Sequence, residues 1–282
     1  MARNRESFGV GDRPGRRGFL GAAIGGCVWC GLSRRSLGQQ PAHGQAGGKS
    51  PPHWSYEGEA GAGRWGELSA DFKSCEFGVQ QSPIDLADPV TAQLGGLDIA
   101  YHDMKLRIIN NGHTIQVNAD PGSLCVIGGK KYELLQYHFH HPSEHLLSGR
   151  AFDLECHLVH RSVAGDLAVI GILVKPGAAN PALAPIWNAM PNQAGAEKDA
   201  GIAVNPTSLL PAERGFFRYM GSLTAPPCSE GHHMVGVARG DRGVAGSDPP
   251  VCSVIRQQCP PGAGAKSPLP AADLLTRQRM IS

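Results

Sequence analysis

The sequence predicts a mostly β protein with a few short helices, one domain built on a large, mainly antiparallel central β-sheet. Apolar and polar residues alternate with the period of two of a half-buried strand in segment after segment. Glycine and proline are abundant, at 38 and 22 of 282 residues, which suits many short strands joined by turns. Strand follows strand with no internal repeat and no coiled-coil heptad, so sequential neighbours should pair antiparallel.

The chain opens on residues 1–45, read as export signal and linker, ahead of a domain over 50–282. Arg16-Arg17-Gly18-Phe19-Leu20 is a twin-arginine pattern and precedes an apolar run from Gly21 to Leu32. That run is too short and glycine-rich to span a bilayer, and no other membrane segment is expected. Gln39 to Pro52 is a polar, Gly/Pro-rich linker. These features predict a periplasmic or secreted protein. The formal charge is only +2 with 18% charged residues, and basic runs are confined to the leader, so no nucleic-acid partner is expected. A homodimer is left open.

Lys105 to Ile109, the turn Asn110-Asn111-Gly112, and Thr114 to Val117 read as strand, tight turn and returning strand. Ser123 to Ile127, Gly128-Gly129, and Tyr132 to His140 repeat the pattern. Leu154 to Val159 alternates again, whereas Leu167 to Val174 is continuously apolar and predicts a strand buried on both faces. Pro185 to Met190 predicts one short helix. Of eight cysteines, Cys27 and Cys30 fall in the leader and Cys252 and Cys259 in the tail; Cys75, Cys125, Cys156 and Cys228 belong to the body. An exported chain can hold disulfides. Cys156 lies between two inward positions, faces the opposite side of its strand and reads as a buried, inert thiol.

Chemistry concentrates in QYHFHHPSEHLLSGRAFDLECHLVH, residues 136–160. His138 and His140 share a strand face, and His157 would stand beside them if its strand lies antiparallel. Three neutral imidazoles on rigid strands leave one corner of a zinc tetrahedron open, the layout of a catalytic rather than a structural site. An H-x-H pair alone is weak evidence. ECHLVH strengthens it, and the segment Gly221-Ser222-Leu223-Thr224-Ala225-Pro226-Pro227 together with the turn Asn110-Asn111-Gly112-His113 makes the set specific.

With these motifs the chain resembles the α-class carbonic anhydrases, from His53-Trp54-Ser55-Tyr56 through Gln80-Gln81-Ser82-Pro83-Ile84-Asp85 to Glu230. The resemblance implies the α-carbonic anhydrase fold and reversible hydration of carbon dioxide to bicarbonate and a proton. His138, His140 and His157 would hold zinc, which lowers the pKa of its bound water to about 7, carbonic anhydrase being the standard example. Thr224 would accept a hydrogen bond from the resulting hydroxide and donate its own proton to Glu144, an ionised carboxylate being an acceptor only. By itself Glu144 could equally begin a short helix after Pro142. Gln136 and Glu155 would accept from the far nitrogens of His138 and His157. Val159, Val169 and Leu223 would wall the carbon dioxide pocket, His113 would shuttle protons, and Tyr56, Asn111 and Gln116 would order the water chain. His141, His145 and His160 read as local hydrogen-bonding groups. Cys75 and Cys228 match a pair that exported relatives often link.

After Glu230 the text GHHMVGVARGDRGVAGSDPP departs from the family, and no stable strand is assigned to it. A one-nucleotide slip at Gly231 in a permitted reverse translation yields a family-like ending, NARPVQALNRRFLLL. Met234-Val235 must be encoded ATG-GTN, which contains a tryptophan codon in the shifted frame. Residues 231–282 are therefore expected to be an out-of-frame tail. That expectation gives the alternative of a catalytically impaired relative. A closed zinc-binding module is a third reading, opposed by the lack of a fourth ligand.

Overall fold

The computed structural model describes residues 52–177, 179–212 and 215–240, the last four by backbone alone. The segment read as an export signal, most of the expected linker, Cys27, Cys30, Cys252, Cys259 and residues 241–282 lie outside the described residues, and the described residues all belong to one compact unit. Its strands are β1 (Leu97–Ala100), β2 (Met104–Asn110), β3 (Ile115–Asn118), β4 (Leu124–Ile127), β5 (Lys130–His140), β6 (Leu154–Arg161), β7 (Leu167–Val174), β8 (Lys198–Val204), β9 (Phe216–Ser222) and β10 (Glu230–Gly240). Three short helices, α1 (Trp65–Leu68), α2 (Ser74–Phe77) and α3 (Ala184–Ala189), accompany them.

One sheet takes the order β8-β2-β3-β5-β6-β7-β10-β9, with β4 on β5 and β1 on β4. Every pairing is antiparallel except that of β7 with β10. The hairpins follow from their turns. Asn111 Oδ1 accepts from the amides of His113 and Thr114, both at 2.9 Å, and closes the β2–β3 turn. Gly128 and Gly129 have φ of 58° and 80°, the two positive angles that a two-residue type I′ hairpin requires.

The period of two then divides β5 between core and site. Tyr137 and Phe139 enter the main core with Leu106, Ile108, Ile115, Val117, Leu158, Ile170 and Ile172, while Gln136, His138 and His140 face the other side. Ile186 of α3 caps that core, as the predicted short helix requires. β7 is buried from its second residue onward, in keeping with its unbroken apolar run. Truncating a side chain as fully enclosed as Phe139 costs about 3–5 kcal/mol.

Beyond Glu230 the structure corrects the sequence reading. β10 lies inside the sheet, pairing β7 on one edge and β9 on the other. Val235 joins the main core and Met234 the opposite face, so a period of two is present among the described side chains of the strand. A strand paired on both edges satisfies its backbone through its neighbours and needs fewer apolar side chains to hold its place. Among the described residues no helix is long and apolar enough to cross a membrane.

Candidate active site

Three adjacent cross-strand rows build the site on one sheet face. The first aligns Asn118, Gln136, Val159, Val169 and Met234; the second Gln116, His138, His157 and Gly171; the third His140 and Glu155. The antiparallel register of β5 and β6 sets His138 directly opposite His157. One ring nitrogen from each of His138, His140 and His157 lies within 4.8 Å of the others. Their ring centroids are 4.7–5.3 Å apart.

Hydrogen bonding decides which nitrogens remain. His138 Nδ1 lies 2.9 Å from Gln136 Oε1, leaving Nε2. His157 Nε2 lies 2.7 Å from Glu155 Oε1, leaving Nδ1. Both nitrogens of His140 are buried without a hydrogen-bond partner, although Glu144 Oε1 stands 3.4 Å from Nδ1. Burial and the neighbouring His157 push the His138 imidazole down to about 3, and the same causes hold His140 well below its ordinary value. The His138 and His140 rings are thus neutral donors at neutral pH, and an unpartnered buried nitrogen is costly unless something binds it. The donor set fits zinc.

A second trio, His145, Glu155 and His157, is as close-packed but already satisfied. Glu155 Oε1 is shared by His157 Nε2 and His145 Nδ1, both at 2.7 Å, and Oε2 accepts from the amides of Glu144 and His145 at 2.9 Å. His145 Nε2 continues to the Tyr219 hydroxyl at 2.7 Å, and that hydroxyl to Ser82 Oγ at 2.8 Å. Burial alone would raise Glu155, but its electrostatic interactions and hydrogen bonds with His145 and His157 hold it well below the usual carboxylate range. Gly171 makes room: a Cβ there would stand 3.0 Å from Glu155 Oε1. The sequence reading gave His145 only a local role and overlooked Tyr219, whose partners are 74 and 137 residues away.

Glu144 begins no helix; it lies in the irregular segment between β5 and β6. Burial and the charge of Glu155 push its carboxyl up to about 8, opposed by a hydrogen bond with Thr224. A divalent cation on the three imidazoles would favour the ionised form.

His113 is half-buried and stacked on Trp54, with centroids 3.8 Å apart. Burial and nearby His53 lower its pKa. Tyr56 packs edge-on to Trp54 and Trp65, and Asn111 donates to Gln116 Oε1 at 3.3 Å. Val159 and Val169 are buried with Met234, and the half-buried Tyr219 packs against them. Leu223 is half-buried and lies outside that cluster. Cys75 of α2 is bonded to Cys228, fastening the helical N-terminal segment to the loop that carries Thr224. Cys125 and Cys156 are free and buried, and burial raises both thiols.

Residues 60–234 match the family described as eukaryotic-type carbonic anhydrase. A carbonic anhydrase of Nostoc sp. is 48% identical over 184 residues, 63% of this chain and 70% of that protein. One of Pectobacterium carotovorum is 44% identical over 179 residues, 64% of this chain and 73% of that protein. Among solved structures, the α-carbonic anhydrase of Thermovibrio ammonificans, a complex with the inhibitor sulfanilamide, superposes with a TM-score of 0.69 at 37% identity. It covers 74% of this chain and 92% of its own. The frame-slip reading of the tail finds no support in these matches. On matched residues, fold and sheet face together, the chain belongs to the eukaryotic-type, or α, carbonic anhydrase family.

Proposed function

We propose that this site hydrates carbon dioxide reversibly at a zinc ion held by His138, His140 and His157. The convergence of one ring nitrogen from each of these three histidines, with both His140 nitrogens buried and without a hydrogen-bond partner, is the observation that carries the reading. When bound, zinc supplies a Lewis acid that acidifies a water and so provides a nucleophile at neutral pH. Gln136 and Glu155 fix the tautomers of His138 and His157, so that a lone pair and not a proton points inward.

Thr224 donates to Glu144, which leaves its oxygen lone pair to accept from the reacting oxygen and orient it toward substrate. Val159 and Val169 offer the apolar wall suited to carbon dioxide, with Leu223 at its margin and Met234 closing it. His113 carries the released proton outward past the polar side lined by Tyr56, Asn111 and Gln116. The Cys75–Cys228 bond supports an exported protein acting in the periplasm or outside the cell.

Stopped-flow hydration kinetics test this. Wild type should hydrate carbon dioxide and be inhibited by sulfonamides. His113→Ala should slow most in weak buffer and recover with added imidazole. Absence of hydration by zinc-replete wild type, or buffer-independent kinetics in the variant, would remove the respective assignment.

A further inference from the structure

A line of side-chain amides runs from the segment before β8 to the turn that bears His113. Asn118 Nδ2 donates to the Glu197 carboxylate. Asn118 Oδ1 accepts from Gln116 Nε2 at 2.7 Å, and Gln116 Oε1 accepts from Asn111 Nδ2 at 3.3 Å. Asn111 Oδ1 accepts from the backbone amides of His113 and Thr114 at 2.9 Å each. Each amide in isolation could sit either way round. A backbone N–H only donates, however, and an ionised carboxylate only accepts. Between these two ends the three amides are satisfied in one orientation alone.

Glu197 is therefore the acceptor that terminates the line. Arg107 Nε stands 3.9 Å from Glu197 Oε1 while its Nη2 lies 2.8 Å from Asp120 Oδ1, restraining the carboxylate from the other side. The same segment also grips the turn directly. Asn110 Nδ2 donates to Pro191 O at 3.3 Å, and the Gly195 amide donates to Asn110 O at 3.0 Å. On the turn so braced, His113 is stacked flat on Trp54, at 8° between ring planes.

We propose that Glu197 is a positioning residue for proton export: through Asn118, Gln116 and Asn111 it holds the 111–114 turn, and with it His113, in register with the site. This rests on the reading of His113 as the shuttle. Proton export limits turnover in weak buffer but does not enter the encounter with carbon dioxide, so the effect should fall on kcat and spare kcat/KM.

The Glu197 side chain is 34% exposed, so its replacement does not threaten folding. In the full zinc-loaded chain, Glu197→Ala should lower weak-buffer kcat about three- to tenfold, the weight of roughly one hydrogen bond. kcat/KM and zinc content should hold, and imidazole should restore the rate. Glu197→Gln keeps an acceptor and should retain most of the activity. Independently of activity, hydrogen exchange at the His113 and Thr114 amides should quicken in Glu197→Ala by a similar factor. Unchanged exchange, unchanged weak-buffer kcat, or a parallel fall of kcat and kcat/KM would each overturn the proposal. His113→Ala separates the two readings. If it is buffer-dependent while Glu197→Ala behaves as wild type, only the role of Glu197 fails; if it is buffer-independent, the shuttle fails and this proposal with it.

Discussion

Glu155 touches one ring that points at the site and one that points away, and both bonds run through the same oxygen. His145, itself tied to Tyr219, keeps that oxygen in line with His157 Nε2. Glu155→Gln replaces an ionised acceptor by an amide that can also donate, and should weaken zinc about 10–100-fold, read by competition with a chelator. Thr224→Ala removes orientation and not a ligand. It should lower turnover on the order of a hundredfold, as loss of one preorganised hydrogen bond does elsewhere, with zinc content unchanged. Loss of zinc in that variant would show that Thr224 acts through the metal. The local partners were legible through the family resemblance, and Gln136 and Glu155 each lie two residues from their histidines, on the same strand face. Tyr219 and Ser82 were not, because their approach depends on segments far apart in sequence. Met234 was not legible either: it lies on β10, 65 residues from Val169 in the chain, and the sheet register brings the two together.

Elements with strong local signals were read correctly: the β2–β3 and β4–β5 hairpins by their turn residues, β7 by its apolar run, α3 by its composition. β8 was missed because nearly every residue in it is exposed, and β10 because glycine and histidine interrupt its alternation. β6 also brings His160 into the core, where its Nε2 pairs with the Tyr101 hydroxyl at 2.7 Å. Burial pushes this imidazole down to about 4 from 6.5. Above pH 6.5 neither the folded nor the unfolded chain holds the extra proton, so stability is full. Between 6.5 and 4 the unfolded chain takes up a proton that the fold refuses, and stability falls as pH drops, by up to about 3 kcal/mol. Urea unfolding of wild type and His160→Gln across that window should give a shallower acid limb in the variant; parallel limbs would reject the assignment. The Cys75–Cys228 bond spans 153 residues, and its reduction should cost about 2–5 kcal/mol, seen as a lower denaturation midpoint in reductant.

At the scale of the whole molecule, one face of the sheet holds a core and the other a site, and β10 serves both. Val235→Asp would place a charge among fully enclosed side chains and should cost about 4 kcal/mol or more, read as loss of cooperative unfolding at ambient temperature. A wild-type-like melt in that variant would mean β10 is dispensable. The sheet's class was visible in the sequence because period and turns are local properties. Its strand order was not, since the parallel pairing of β7 with β10 joins segments that are far apart in the chain. The central claim is that three histidines from two strands form one open zinc site. Metal analysis of the purified chain and of His140→Ala tests it most directly. The account predicts one zinc per chain in wild type and none retained in the variant; full zinc occupancy in His140→Ala would contradict it.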